Sequence, residues 1–234
     1  MTSDGEPLFE RASEYEALLQ QGIRLSGENR VFFARGRVAD LVGHLPAGVV
    51  PRRILDFGCG LGDTCRHLAE VFPEAEVVGV DNAAAALAWA RAHHGSARIS
   101  FADIDQLSGL GSFDLCYVNG VLHHVAPARR PTVVSGIRAA LRPGGFLALF
   151  ENNPWNPGAR MVMRRIPFDR DAIPLSPREA RRLLERCALR CLSLRSLFYF
   201  PKPLAFLRPL EPLLAGMPLG AQYWLLATNP APVG

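Results

Sequence analysis

The stretch "ILDFGCGLGDTC", residues 54–65, decides the fold of this chain. Apolar residues run into Asp56, and glycines then alternate at Gly58, Gly60 and Gly62. Glycine permits tight turns and lets the backbone approach a ligand closely. A glycine-rich turn between a buried strand and a helix is typical of nucleotide sites in α/β proteins. We therefore interpret residues 54–65 as a strand, a ligand-binding turn and the start of a helix.

Strand-like and helical stretches alternate beyond this turn. The runs "EVVGVD", "RISFAD", "FDLCYVN" and "GGFLALFE" are separated by helical runs, which predicts a parallel sheet with helices on both faces. Residues 8–45 are predicted to form two helices, and residues 152–175 an ordered loop. Ser176 and Glu179 form a capping box that opens another helix. Two further strands, "CLSLRSLFYF" and "AQYWLLATN", are separated by a long link at 201–219.

The composition is that of one globular domain, or one domain with an added flap. The chain has 234 residues, of which 49% are apolar. It has no uninterrupted apolar run of about 18 residues, and its acidic start lacks a signal-peptide pattern, so we expect a cytoplasmic protein without a transmembrane segment. The net charge of +4 comes from dispersed arginines, which argues against a nucleic-acid partner. The five cysteines form no CxxC pair, and we predict no metal site.

The spacing of the glycines discriminates between nucleotides. A dinucleotide fingerprint would place glycine where Asp63 stands, and an acid is a poor neighbour for a pyrophosphate. No Gly-Lys-Ser/Thr follows, which excludes a Walker loop. Asp81 and Asp103 end the second and third predicted strands, where carboxylates can bind ribose hydroxyls and an adenine amino group. The predicted ligand is an adenosine that carries a cationic or zwitterionic group in place of phosphates.

Five ordered blocks resemble the class I S-adenosylmethionine-dependent methyltransferases of the small-molecule type: Asp56 to Gly62, Asp81, Asp103, "FDLCYVNGVLHHV" and "LRPGGFLALFE". The resemblance covers roughly residues 50 to 151. It implies a Rossmann-like α/β fold, in which a seven-stranded, mostly parallel sheet has an antiparallel last strand, "AQYWLLATN". The chain itself predicts an N-terminal helical flap, 1–48, before a cofactor-binding domain, 49–234. After Glu151 it departs from the family pattern, and acceptor-side insertions are predicted at 152–175 and 201–219. The implied cofactor is S-adenosyl-L-methionine, and its product is S-adenosyl-L-homocysteine.

The resemblance also assigns cofactor contacts to the turn and to the strand ends: Asp56, Gly58, Cys59, Gly60, Asp81, Asn82, Asp103, Ile104 and Asn119. The turn would pass close to the methionine part, with Asn119 near its amino end. Asp81 would hold the ribose, and Asn82, Asp103 and Ile104 would surround the adenine. Asp56 has an alternative role, as an acid that caps a helix or orders a loop.

The acceptor side is predicted from residues that follow the fourth and fifth strands. His123, His124 and Glu151 stand where a general base would take a proton from an acceptor hydroxyl. The histidines are also candidates for packing, and Glu151 for ordering the adjacent loop. The predicted acceptor contacts are Tyr15, Asn152, Asn153, Trp155 and Tyr223. The two asparagines and Trp155 would line the pocket or fix its loop, whereas either tyrosine could instead belong to the core.

The predicted function is methyl transfer to a small or lipid-like organic acceptor, at oxygen rather than nitrogen or carbon. The same cofactor site would also suit aminocarboxypropyl transfer or cyclisation, a non-catalytic cofactor-binding module, or RNA methylation. The link 201–219 is interpreted as a lid or a homodimer contact. Only Lys202 and Arg208 supply positive charge there, and Glu211 offsets one of them, so a membrane-surface dock is disfavoured.

Overall fold

Seven strands form a single sheet in the computed structural model, which describes residues 22–166 and 169–231. The strands are β1 (Arg53–Phe57), β2 (Glu76–Asp81), β3 (Ile99–Asp103), β4 (Phe113–Asn119), β5 (Leu141–Asn152), β6 (Arg190–Leu197) and β7 (Gln222–Thr228). Their order across the sheet is β3-β2-β1-β4-β5-β7-β6. Strands β1 to β5 are parallel, and β7 is antiparallel to both of its neighbours. The predicted sheet with an antiparallel last strand is confirmed.

Helices cover both faces of the sheet. They are α1 (Arg30–Val42), α2 (Asp63–Val71), α3 (Ala84–His94), α4 (Arg130–Ala140), α5 (Pro157–Arg165), α6 (Pro177–Arg186) and the short α7 (Glu211–Leu214). Helices α1, α2 and α3 bury Leu41, Leu68 and Leu87 against one face. Helices α4 and α6 bury Ile137 and Leu184 against the other. Within the two described ranges, no helix combines the length and apolar character needed to cross a bilayer.

Helix α1 is anchored to the antiparallel end of the sheet through one carboxylate. Trp224 Nε1 donates to Asp40 Oδ2 at 2.7 Å, and Arg195 Nε lies 3.3 Å from the same oxygen. This helix confirms the second of the two helices predicted over 8–45. The first falls mainly on residues 1–21, which lie outside the described part of the chain, so the flap boundary at 48 stays a prediction.

The stretch predicted as an ordered loop contains helix α5. Asn156 caps it, because its Oδ1 accepts a hydrogen bond from the Ala159 N–H at 2.8 Å, and Pro157 occupies the first turn. Asparagine followed by proline is a helix-start signal. The loop prediction over 152–175 is therefore wrong for residues 157–165, because part of the Pro and Asn content belongs to a helix cap.

The other local signals after β5 are confirmed. Ser176 Oγ accepts from the Glu179 N–H at 3.3 Å, and Glu179 Oε2 accepts from the Ser176 N–H at 2.7 Å, which completes the capping box of α6. Strands β6 and β7 pair across a long connection rather than a tight hairpin. That connection contains a 3-10 segment, Lys202–Leu210, followed by α7.

Candidate active site

A cleft of about 680 Å³ opens where β1, β4 and β5 end. Ligands of open α/β sheets bind at this edge. Helix α1, helix α5 and the segment after β6 contribute side chains to the cleft. Eight of the predicted site residues line it: Asp56, Gly58, Cys59, Gly60, Asn119, His123, His124 and Asn152.

The turn after β1 presents backbone to the cleft. The N–H groups of Gly58 and Cys59 donate to the Val80 carbonyl at 2.8 and 3.0 Å, which ties the turn to β2. Gly58 and Gly60 have φ angles of +76° and +51°, a region that favours glycine. A Cβ on Gly58 would lie 2.4 Å from Val121 Cγ2, whereas a Cβ on Gly60 would have no neighbour within 4 Å among the described residues. Gly60 thus leaves space that a ligand can fill.

Two acids meet beside this turn, at the ends of β2 and β3. Asp81 and Asp103 are partners in the sheet register. The Asp81 carboxylate accepts from the Gly60 N–H at 2.8 Å and from the Ala83 N–H at 2.9 Å. Each carboxylate oxygen retains a further acceptor site, so Asp81 can bind hydroxyls while it fixes the turn. Asp103 accepts from the Asp105 N–H at 2.9 Å, which orients its carboxylate.

Asp56 lies buried in β1, beneath the turn. Burial raises its pKa to about 7, against the opposing effect of the hydrogen bond from Cys65 Sγ at 3.2 Å. The charge of Asp81 raises this pKa further, and that of Arg37 lowers it. Asp56 is therefore partly protonated near neutral pH. Its contact with Cys65 on α2 also matches the alternative role of an acid that orders local structure.

Two buried polar groups in the cleft have interactions left to make: among the described residues, the Arg37 guanidinium has only neutral hydrogen-bond partners, and Asn119 Oδ1 has none. Arg37 Nε donates to the Tyr117 hydroxyl at 3.0 Å, and Nη1 donates to Gln222 Oε1 at 3.1 Å. Both partners are neutral, so neither balances the buried guanidinium charge. Asn119 Oδ1 is buried and has no hydrogen-bond partner among the described residues. A bound ligand that carries a carboxylate and an ammonium group would satisfy both.

His123 lies between two buried carboxylates at the other end of the cleft. Its Nδ1 lies 2.5 Å from Glu151 Oε2, and its Nε2 lies 3.6 Å from Asp169 Oδ1. Glu151 Oε1 accepts from the Leu122 N–H at 2.8 Å. Burial lowers the pKa of His123, but the Glu151 charge and the hydrogen bonds to Asp169 and Glu151 outweigh it and raise the pKa to about 10. A proton already present at neutral pH makes His123 poorly suited to act as a general base.

The three predicted site residues that follow Glu151 lie in different environments: one in the cleft, one buried in the loop and one exposed. Asn152 lines the cleft, and its Oδ1 accepts from Gln222 Nε2 at 3.1 Å. Asn153 is buried, and its Nδ2 donates to two carbonyls of the segment before β7 at 2.9 and 2.8 Å. Its Oδ1 accepts from the Trp155 N–H at 3.0 Å, while the Trp155 side chain is exposed. Asn153 thus fixes the loop, and Asn152 faces the cleft.

Three further predicted residues that the structure describes, Tyr223, Asn82 and Ile104, do not line the cleft. Tyr223 is buried in the core, and its hydroxyl donates to the Leu175 carbonyl at 2.9 Å. Asn82 is exposed, and Ile104 packs half-buried against the core next to Asp103. Tyr15 lies outside the described residues. The structure therefore supports the core role for Tyr223 that the sequence left open.

The segment 201–219 borders the cleft and contacts α1. The Arg208 guanidinium lies 4.5 Å from the centre of the Phe32 ring, and its Nη2 lies 2.9 Å from Glu28 Oε1. The segment also exposes a series of apolar side chains: Leu204, Phe206, Leu210, Leu213, Met217 and Leu219. One side of the segment thus meets the cleft rim, and much of its apolar surface faces outward.

Comparison with known proteins places this geometry in context. Residues 54–145 match the profile of a methyltransferase domain. A trans-aconitate 2-methyltransferase of Delftia acidovorans is 34% identical over 131 residues, which are 55% of this chain and 48% of that protein. A malonyl-[acyl-carrier protein] O-methyltransferase of Legionella pneumophila is 40% identical over 79 residues, 32% of this chain and 28% of that protein. The chain spans about half the length, or less, of these curated relatives.

The fold of the chain is also similar to that of a solved structure. It is an S-adenosylmethionine-dependent methyltransferase from Mesorhizobium loti, with a TM-score of 0.59 and 22% identity, over 82% of this chain and 97% of that one. Residues 54–145 thus match a methyltransferase-domain profile, and the chain shares the fold of a solved S-adenosylmethionine-dependent methyltransferase. Three features of the cleft fit S-adenosylmethionine: the open space at Gly60, the buried Arg37, and Asn119 Oδ1, which has no hydrogen-bond partner among the described residues.

Two residues of this cleft were not predicted from the sequence. Arg37 stands on an amphipathic helix with several other arginines, so its residue type alone does not distinguish it from an exposed one. Asp169 stands 18 residues after Glu151 in the sequence, yet its Oδ1 lies 3.6 Å from His123 Nε2. Only the path of the chain through α5 brings them together. The one available signal for Arg37 was its place on the apolar side of α1, beside Val38 and Leu41.

Proposed function

We propose that this chain transfers the methyl group of S-adenosylmethionine to a carboxylate oxygen of a small organic acceptor and forms a methyl ester. The observation that carries the proposal is the position of His123 between Glu151 and Asp169. A hydroxyl acceptor would need a base to remove its proton. A carboxylic acid with a pKa of about 4 is already ionised at neutral pH and needs none.

The names of two relatives support the same acceptor class. Trans-aconitate and a malonyl group both carry free carboxylates, and the name of the Legionella protein specifies transfer to oxygen. Each of these relatives is matched over less than half of its length. We therefore propose the class of acceptor, a small or lipid-like carboxylic acid, and the transfer to oxygen.

The cofactor would be held by the chain's own groups along the turn and the strand ends. When bound, S-adenosylmethionine supplies a methyl group activated by a sulfonium centre. Arg37 would bind the methionine carboxylate, and Asn119 would accept a hydrogen bond from the ammonium group. Asp81 would accept the ribose hydroxyls. The remaining proposed contacts are those implied by the family resemblance: Asp56, Gly58, Cys59, Gly60, Asn82, Asp103 and Ile104.

The acceptor would enter from the side of α5 and the segment 201–219. Asn152 and His124 face this part of the cleft. We propose that residues 1–48 form a flap on the domain 49–234, because α1 contributes Arg37 and neighbouring residues to the cleft wall. The segment 201–219 would act as a lid or a homodimer contact, and the expected partner is a small molecule rather than a nucleic acid.

Product analysis tests this proposal. The protein is incubated with S-adenosylmethionine and either trans-aconitate or a malonyl thioester of acyl carrier protein, with an alcohol of similar size as the matched comparison. We expect S-adenosylhomocysteine and a base-labile methyl ester in equal amounts, only with a carboxylate acceptor. Mass spectrometry and liquid chromatography measure both products.

Three results would contradict the proposal in different ways. Methylthioadenosine in place of S-adenosylhomocysteine would identify aminocarboxypropyl transfer or cyclisation. Tight binding of S-adenosylhomocysteine without turnover of either carboxylate would favour a non-catalytic module. Methyl incorporation into RNA, with strongly salt-dependent RNA binding, would replace the small-molecule acceptor.

A further inference from the structure

Three side chains with metal-ligating atoms converge at the acceptor end of the cleft: His123, His124 and Asp169. Asp169 Oδ1 lies 3.2 Å from His124 Nε2 and 3.6 Å from His123 Nε2. One ligating atom from each residue lies within 4.8 Å of the other two. The proposed methyl transfer uses no base from this cluster, so it does not explain why these three side chains lie so close together.

The spacing of these atoms resembles the edges of a metal coordination shell. Bonds of about 2.0–2.2 Å in a tetrahedral arrangement place neighbouring ligand atoms about 3.3–3.5 Å apart. The two measured separations, 3.2 and 3.6 Å, bracket this range. The shorter separation also lies within the range of an ordinary N–H···O hydrogen bond, about 2.7–3.2 Å, so the cluster is close-packed without an ion. Atoms at these separations can ligate one shared cation after only small shifts.

Metal-binding histidines commonly donate a hydrogen bond from their second ring nitrogen to a carboxylate, and Glu151 is placed to accept such a bond from His123. Its Oε2 lies 2.5 Å from His123 Nδ1, and both side chains are almost wholly buried, at 1% and 3% exposure. A carboxylate on Nδ1 fixes the ring and directs Nε2 at the cluster, as in carboxylate–histidine–zinc triads, and a metal ion that binds there displaces the Nε2 proton. The Leu122 N–H holds the second oxygen of Glu151 at 2.8 Å. The orientation of His123 is therefore set before any ion binds.

The two chain segments that carry the cluster are also tied to each other. The Ile173 N–H donates to the His123 carbonyl at 2.8 Å. Arg130 Nε donates to the carbonyls of Leu122 and Val125, both at 3.0 Å, and its Nη2 donates to the Ile173 carbonyl. These bonds hold residues 122–125 against residues 169–173. Such preorganisation keeps the ligating atoms together without the ion.

We propose that His123, His124 and Asp169 bind a divalent transition-metal ion, with Zn²⁺ as the reference ion, and leave a coordination position open toward the cleft. Two imidazole nitrogens and one carboxylate oxygen form a donor set typical of open zinc sites. The carboxylates of Asp169 and Glu151 balance the charge of a divalent cation. The sequence pattern predicted no metal site, because Asp169 is remote from the two histidines along the chain.

Cobalt substitution tests the site directly. Metal-depleted protein is titrated with Co²⁺, and the visible absorption and the bound metal are both measured. We expect one equivalent of Co²⁺ with the absorption of a four- or five-coordinate site, displaced by Zn²⁺. Thiolate-to-cobalt charge transfer should be absent, which separates this cluster from the cysteines.

Variants identify the ligands. His124→Ala and Asp169→Asn should each weaken binding at least about 10-fold, and Glu151→Gln should weaken it about 10- to 100-fold with the stoichiometry retained. His124 is partly exposed, so its variant should keep the fold, which circular dichroism checks. His93→Ala, at an exposed histidine on α3, is the matched control and should bind as the wild type does.

Two outcomes would overturn the site: no metal bound above the level of a metal-depleted blank, or metal binding that His124→Ala and Asp169→Asn leave unchanged. Titration with S-adenosylhomocysteine is run on the same samples. Because cofactor binding is measured separately, the metal site can fail while the proposed methyl transfer stands, and the reverse.

Discussion

Asp56 connects the stability of the fold to pH. Its pKa is raised from 3.8 to about 7 by burial in β1. The folded chain therefore holds this proton more tightly than the unfolded chain does. The stability that the proton contributes is fully present below about pH 4 and is lost as the pH rises through about 7. Asp56→Asn removes this dependence, because an amide does not ionise.

We expect the free energy of unfolding of the wild type to fall by about 2–3 kcal/mol more than that of Asp56→Asn between pH 5 and pH 8. Urea denaturation at each pH measures both proteins. Asp105→Asn, at an exposed acid after β3, is the control and should follow the wild type. Parallel curves for wild type and Asp56→Asn would mean that the buried carboxyl keeps an ordinary pKa.

Arg37 is expected to dominate recognition of the methionine end of the cofactor. Hydrogen bonds to charged groups contribute about 1.5–3 kcal/mol, so Arg37→Met should weaken S-adenosylhomocysteine binding about 10- to 100-fold. Isothermal titration calorimetry measures the affinity. Arg35→Met changes an exposed arginine on the same helix and should leave it unchanged. Equal affinities in the two variants would mean that Arg37 does not bind the cofactor and serves only to hydrogen-bond Tyr117 and Gln222.

Single residues differ in how far the sequence predicts their place. Gly58 and Gly60 follow from the turn itself, because their positive φ angles require glycine. Asp81 follows from its position at a strand end. Glu151 stands at the predicted strand end, but its bond to His123 depends on how β5 lies beside β4. Tyr223 is in the core because helices cover both faces of β7, so that its residues are buried on either side of the sheet.

Helix α6 ends in a conformation that suits glycine but contains alanine. Ala188 has a φ of +58°, its N–H donates to the Glu185 carbonyl, and the Leu189 N–H donates to the Leu184 carbonyl. This is a Schellman cap, in which the left-handed residue is usually glycine. Ala188→Gly should therefore raise the free energy of unfolding by about 1 kcal/mol.

The matched control for the helix cap is a second alanine-to-glycine substitution, for which we expect the opposite change in the free energy of unfolding. Ala88 is exposed within α3, where its replacement by glycine adds backbone freedom without relieving strain. Ala88→Gly should lower the free energy of unfolding by about 0.5–1 kcal/mol. Urea denaturation compares both variants with the wild type. Destabilisation of similar size in both would show that the cap at 188 carries no relievable strain.

Helices and strands can be predicted from the sequence where the capping residues and the hydrophobic periodicity agree. The capping box fixed the start of α6, and the apolar runs fixed β1 and β4. Helix α5 was missed because Pro157 and Gly158, at its start, also occur in loops. The 3-10 segment Lys202–Leu210 has no periodic pattern because prolines interrupt it, and its path depends on contacts with α1. Local signals do not encode such contacts.

At the level of the whole molecule, the alternation of strands and helices predicts the parallel part of the sheet, since each crossover returns the chain in the same direction. The place of β7 between β5 and β6 does not follow from that alternation. The family resemblance implies only that β7 runs antiparallel. The cleft depends on both parts, because β1 and β4 carry its cofactor side, while the segment between β6 and β7 borders its rim.

Because the proposed cofactor would contact α1, the turn after β1 and the ends of several strands, its binding should stabilise the molecule as a unit. Ligand at about 100 times its Kd adds about 2.7 kcal/mol to the folded state. For a chain of this length, S-adenosylhomocysteine should then raise Tm by roughly 5–10 °C. Differential scanning calorimetry measures the shift, with NAD at equal concentration as the control. Asp81→Ala should abolish the shift, whereas Asp105→Ala should preserve it. A larger shift with NAD would assign the glycine turn to a dinucleotide site and would remove the basis for methyl transfer.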